Sequence, residues 1–195
     1  MNFNEWRKRY DTLTFAEQQE YHNHLEALYP DQAHYDYNAA AHVFGLVNPK
    51  TVAEAGTWKA NLAYQILGSN ETITNWDAYE LCPNAVLKTV CKDARLQYQT
   101  LTRFDWWNDV TIDADLFLAT HFIEHLSWQH LQEMVAAVNS PNIYFEAPLT
   151  DIGEQWQDFH GTHKLTVGWD EITALMQSKG YTLVNINNHC KLYRK

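Results

Sequence analysis

The sequence predicts an α/β fold, a mostly parallel sheet with helices on both faces, preceded by an N-terminal helical extension. Three observations predict it. From Pro49 onward, short β-branched or apolar runs alternate with segments whose apolar residues recur at helical spacing. "ADLFLATHF" (114–122) and "NIYFEAPL" (142–149) are continuously apolar, as strands buried on both faces should be. The last stretch, "YTLVNINNHCKLYRK", reads as two strands around Asn187-Asn188, hence a hairpin. The boundary falls near Asn48, with residues 1–48 as extension or lid and 49–195 as the α/β domain.

The extension opens on a Thr14–Glu17 capping box, followed by Tyr21, Leu25 and Leu28 at i, i+4, i+7 and closed by Pro30. "HYDYNAAAHVFGLV" is a second helix ending near Gly45. "KTVAEAG" is a strand, and "KANLAYQIL" a helix stopped by Gly68 as its C′ residue. "ETITNWDAY" is strand-like, "PNAVLKTVCKDA" a short helix and "LQYQTLTRF" a third strand. After "ADLFLATHF", Leu131, Met134, Val135 and Val138 mark a helix ended by "NSP". After "NIYFEAPL", "WDEITALMQSKG" is a helix with Asp170 as N-cap and Gly180 as C′ residue.

At 195 residues and 46% hydrophobic, the chain suits one domain with a substantial core and excludes a disordered reading. No apolar run reaches the ~20 residues of a membrane span, and "MNFNEWRKRY" has no apolar signal-peptide centre. Cys82, Cys91 and Cys190 show no metal spacing, so reduced thiols in a cytoplasmic protein are expected. The net charge is −10, with only 14 Lys plus Arg. Nucleic-acid binding draws on cationic side chains, so a small-molecule partner is expected instead.

Ligands of such sheets bind beyond the carboxyl ends of the strands, here just after Ala55, Tyr79, Phe104, Thr120 and Pro148. After the first strand, "EAGTWKA" puts Gly56 where backbone amides can approach a ligand, with Glu54 beside it. After the second, Asp77 and Glu80 stand ~20 residues past the glycine, where a carboxylate commonly accepts ribose hydroxyls. After the third, Asp105 adjoins Trp106 and Trp107, a carboxylate and an indole that would suit an adenine.

This order of acids resembles the S-adenosylmethionine-dependent methyltransferases with the Rossmann-like fold. Their first motif, acid-x-Gly-x-Gly-x-Gly, is similar to Glu54, Gly56, Trp58 and Ala60, with two glycines replaced. Asp77 and Asp105 stand for the family's second and third acids, and "HFIEHL" for its Glu-His-Leu entry into the next helix. The resemblance covers residues 50 to 195. It implies a seven-stranded sheet with an antiparallel last strand, a methyltransferase activity, and S-adenosylmethionine held by Glu54, Ala55, Gly56, Thr57, Asp77, Ala78, Asp105, Trp106 and Thr120. Trp58 and Ala60 leave a degenerate, non-catalytic cofactor binder as the alternative.

Under that reading His121 and His125 border the methyl end, either one a candidate general base. Trp156, His160 and His163, in the irregular stretch after the fifth strand, are substrate-loop candidates. "HFIEH" also matches His-x-x-Glu-His, a zinc-hydrolase motif that needs both histidines on one helix face. There Glu124 would be the base, with a third ligand from Glu146, His160, His163 or Glu171. The expectation is no metal.

Overall fold

The computed structural model describes residues 12–28, 35–103, 105–149 and 164–195. Its strands are β1 (Thr51–Ala55), β2 (Asn75–Glu80), β3 (Leu96–Thr100), β4 (Ile112–Asp113), β5 (Leu116–Thr120), β6 (Val138–Asn139), β7 (Asn142–Glu146), β8 (Thr182–Asn185) and β9 (Cys190–Arg194). Seven of them form one sheet in the order β3-β2-β1-β5-β7-β9-β8, and β4 pairs separately with β6. Neighbours from β3 to β7 run parallel, and β9 alone is reversed, inserted between β7 and β8. The chain moves outward from β1 to β3 and then returns to β5. The order therefore switches between β1 and β5, and their carboxyl ends flank the crevice.

Alternation along the strands separates two apolar layers. Val52, Trp76, Leu116, Leu118 and Tyr144 face α2 (Tyr37–Val47) and α3 (Asn61–Leu67). Ala53, Phe117, Ala119, Ile143 and Phe145 face α5 (Trp128–Ala137) and α6 (Trp169–Ser178). The central strands β5 and β7 are buried at every position, which is why their sequence shows no alternation.

Local chemistry moved several boundaries. Helix α2 runs through Gly45 to Val47 and ends on Asn48 in the left-handed region. Gly68 closes α3 with right-handed backbone, its N–H bonded to the Tyr64 carbonyl, so it is not a left-handed C′ residue. The helix after β2, α4 (Pro83–Leu87), stops well short of Ala94. β3 ends at Thr100 rather than Phe104, which lies outside the described residues. Gly168, not Asp170, is the N-cap of α6, since the Glu171 carboxylate accepts from Gly168 N (3.1 Å). Gly180 takes the left-handed position expected of it.

Helix α1 (Phe15–Leu28) keeps its capping box, with Thr14 N donating to Glu17 Oε2 at 2.8 Å. Its apolar stripe is only partly used: Tyr21 is buried, but Leu28 is exposed. Gln18 and Glu26 are buried instead, so this helix docks through polar groups.

Candidate functional site

The β1–α3 turn opens the crevice. Gly56 (φ +75°), Trp58 (+51°) and Ala60 (+59°) all occupy the left-handed region, at alternate positions. The turn thus keeps a glycine-type backbone although two positions carry side chains. At Gly56 an added Cβ would lie 2.8 Å from Cβ and Cδ2 of Phe122, so the first position tolerates nothing larger. Gly56 N donates to the Tyr79 carbonyl (2.8 Å), tying the turn to the end of β2.

Two buried carboxylates support the turn. Glu54 Oε2 accepts from Thr57 Oγ1 (2.6 Å) and Trp76 Nε1 (3.0 Å). Burial pushes its carboxyl up to about 7; the two hydrogen bonds work against the rise and the nearby Glu80 charge adds to it. Glu80 accepts from Trp58 N (2.6 Å) through Oε2 and from Cys82 N (2.8 Å) through Oε1. Burial raises this carboxyl too, against its backbone hydrogen bonds.

Glu80 therefore holds the strand-end position expected of Asp77. Asp77 sits inside β2, paired with Ala53, and accepts from Asn75 Nδ2 (2.8 Å). Ala78 is fully buried in the core layer under α2 and α3 and presents no surface to a ligand. Strand parity separates these side chains: Glu80 and Asp77 point to opposite faces. Beyond β3, Asp105 pairs with Arg103 (2.7 Å), whose hydrogen bond holds the carboxyl below its ordinary value. Trp106 stacks on Tyr79, with centroids 4.3 Å apart, inside the core. Among the described residues, the buried indole N–H groups of Trp58, Trp106 and Trp107 find no hydrogen-bond partner.

At the end of β5 Thr120 is buried, and His121 beyond it turns to φ +49°. Its Nδ1 lies 3.2 Å from Glu124 Oε1 and its Nε2 3.6 Å from Glu146 Oε1. Burial opposes the charged imidazole, but the two glutamates outweigh it and raise the pKa to about 9. A protonated imidazole has no lone pair to accept a proton, so at neutral pH His121 supplies charge rather than a general base. His125 lies in a 3-10 turn (Ile123–His125), edge-on to His22 of α1.

The helix required for zinc binding by "HFIEH" does not form, because His121 belongs to the strand end and only a single 3-10 turn follows. Among the described residues no cluster of three or more His, Cys, Asp or Glu has metal-holding geometry. Glu146 closes the network, accepting from Asp36 N (2.6 Å) and the Tyr144 hydroxyl (3.0 Å). A cavity of about 570 Å³ adjoins it, lined by Asp36, His121, Glu146, Pro148, Asn187 and His189.

Trp156, His160 and His163 lie outside the described residues. Sequence reasoning passed over Phe122, Lys59 and Asp36, and placed Glu80 after the second strand beside Asp77 but gave Asp77 alone the place of the second acid. Only for Glu80 was a signal present: counting strand parity to the end of "NWDAYE" would have found it.

No family model matches the chain, and no characterised protein matches it by sequence. Solved structures do match. The chain has the Rossmann-like fold of the S-adenosylmethionine-dependent methyltransferases. It is similar to a 1,6-didemethyltoxoflavin N1-methyltransferase of Burkholderia thailandensis solved with S-adenosylhomocysteine, at TM-score 0.64 and 14% identity over 96% of this chain and 89% of that one. It is also similar to the methyltransferase domain of a bacterial Hen1 (TM-score 0.62, 14% identity, 82% and 97% covered). A third match is an O-methyltransferase family protein of Burkholderia thailandensis (0.63, 12%, 98% and 62%). At these identities the likeness is one of fold. Among the described residues, no helix is long and apolar enough to cross a membrane.

Proposed function

We propose that the chain is an S-adenosylmethionine-dependent methyltransferase acting on a small molecule. The observation that carries this reading is the left-handed backbone at Gly56, Trp58 and Ala60. For a residue with a Cβ that conformation costs roughly 1–2 kcal/mol. Such strain persists where the surroundings enforce it, and it clusters at ligand sites.

The residues present suit the cofactor. Among the described residues, the buried indole N–H donors of Trp58, Trp106 and Trp107 find no partner, and the first two stand beside the turn and the Asp105 loop. Glu80 stands at the end of β2 with carboxylate lone pairs beyond those its two backbone donors use. When bound, the cofactor supplies an electrophilic methyl group on a sulfonium. Glu54, Ala55, Gly56 and Thr57 form the turn that receives it, Glu80 takes the ribose, and Asp105 with Trp106 borders the adenine. Thr120 closes the β5 side. The chain's contribution is to orient two reactants, and where the nucleophile must lose a proton the base is assigned to His125.

The 570 Å³ cavity beyond β5 and β7 lies in the range of small-molecule sites, and the segment holding Trp156, His160 and His163 is assigned to the same substrate. Free, buried Cys82, Cys91 and Cys190 support a reducing, cytoplasmic setting. A non-catalytic cofactor binder is the second reading, favoured by the side chains of Trp58 and Ala60 at two positions of the glycine-type turn.

Calorimetric titration with S-adenosylhomocysteine tests the proposal. Wild type is expected to bind, Glu80→Gln to bind ~10-fold or more weakly, and Asp77→Asn to bind as wild type does. Absence of wild-type binding at millimolar ligand overturns the reading. Binding with no methyl transfer across a broad substrate panel selects the non-catalytic one.

A further inference from the structure

Helix α1 crosses the carboxyl edge of the sheet and engages the loops after four strands from one polar face. Gln19 Nε2 donates to the Leu101 carbonyl (3.0 Å), beyond β3. His22 meets the His125 ring, centroids 6.4 Å apart, beyond β5. Beyond β2, Asn23 Oδ1 accepts from Asn84 N (2.9 Å) and the Cys82 thiol (3.2 Å). Beyond β1, Glu26 pairs with Lys59 Nζ (2.7 Å), and its other oxygen accepts from Lys88. Positions 19, 22, 23 and 26 follow i, i+3, i+4, i+7, so they share one side of the helix.

Glu26 is the odd member of that face. Its side chain is entirely buried and that of Lys59 is only 10% exposed. Burial works to protonate the carboxyl, but the bonds from Lys59 and Lys88 prevail and hold it below its ordinary value. A helix that needed only adhesion would bury leucines there. A buried ion pair contributes little net stability, but removing one partner leaves an uncompensated buried charge.

Its partner is placed for a purpose. Lys59 lies between Trp58 and Ala60, the side-chain-bearing residues of this turn that take left-handed backbone. Its carbonyl accepts from Val90 N (3.0 Å) and Thr89 Oγ1 (3.1 Å), so the residue is held at both main chain and side chain.

We propose that Glu26 is a positioning residue for the cofactor turn. Through Lys59 it locks the strained Trp58–Ala60 backbone under α1, so that this helix and the turn close over the crevice as one unit. The inference rests on reading the turn as the cofactor site.

Hydrogen exchange and S-adenosylhomocysteine calorimetry on the full chain test it, comparing wild type, Glu26→Gln, Glu26→Asp and, as control, Glu20→Gln on the exposed side of the same helix. Glu26→Gln is expected to speed amide exchange at residues 57–61 as well as in α1, and to weaken the ligand ~10-fold through faster dissociation. Glu26→Asp, shorter but still charged, recovers part of both effects, and Glu20→Gln produces neither. Faster exchange confined to α1, with the turn and the affinity as in wild type, overturns the proposal. Should Glu26→Gln fail to fold, Lys59→Met poses the question from the turn: α1 exchange must rise, and unchanged α1 exchange overturns the proposal. A wild type that does not bind S-adenosylhomocysteine refutes only the methyltransferase reading, and the exchange readout still decides whether Glu26 clamps the turn.

Discussion

Glu54 gives the site a pH signature that can be measured without any ligand. Its carboxyl is buried beneath the turn and titrates near 7 in the folded chain, against 4.5 ordinarily. Below 4.5 the group is protonated in both states and contributes no difference. Between 4.5 and 7 the unfolded chain releases this proton while the folded chain keeps it, so stability falls as pH rises. Above 7 both forms are ionised and the loss is complete. The difference in pKa corresponds to about 3 kcal/mol, of which about 2.5 kcal/mol falls between pH 5 and pH 8. Glu54→Gln keeps the shape and an acceptor for Thr57 and Trp76 but cannot titrate. Urea denaturation of wild type and variant at pH 5 and pH 8 isolates the effect, because the other titrating groups are common to both chains. The stability difference between the two proteins should shift by about 2–3 kcal/mol in favour of the variant at pH 8. Parallel pH dependences would refute the reasoning, showing that Glu54 is already solvated or compensated in the folded chain.

Two further outcomes follow from the same geometry. Gly56→Ala combines left-handed strain of about 1–2 kcal/mol with a Cβ against Phe122 worth about 1–3 kcal/mol. Gly45→Ala, in a helix with open space around it, should be neutral or stabilising by up to about 1 kcal/mol, so denaturation midpoints of the two variants that move alike would contradict the structure. His121 should show an imidazole NMR titration near pH 9. Because that value lies above the ordinary 6.5, the stability it contributes is present below 6.5 and is lost as pH rises through 9; a midpoint at or below 6.5 would dissolve the Glu124–His121–Glu146 arrangement.

Much of this molecule was legible in one dimension. The uninterrupted apolar runs of β5 and β7, the Thr14–Glu17 box, the Asn187-Asn188 hairpin and the "EAG" turn are local signals, because burial period and turn chemistry act over a few residues. The choice between Asp77 and Glu80 was harder, since it depends on where β2 ends, and strand ends are set by neighbours: Ala55 pairs with Tyr79, leaving Glu80 at the rim.

The sequence by itself determined the alternating elements, the position of the first turn and the chemical types available at each strand end. Tertiary structure alone decided what those types do. The charge on His121 comes from Glu124, brought round by the 3-10 turn, and from Glu146, on a different strand, and the raised carboxyl of Glu54 comes from desolvation by the layers around it. Glu26 carries no mark of its own in the sequence, and the fold buries it against Lys59. Even the left-handed backbone at Trp58 and Ala60 goes with partners far off in sequence: Glu80 of β2 on Trp58 N and Glu26 of α1 on Lys59. Hydrophobic period is a property of neighbours along the chain, whereas solvation and Coulomb energy depend on distance through space, which only the folded chain defines.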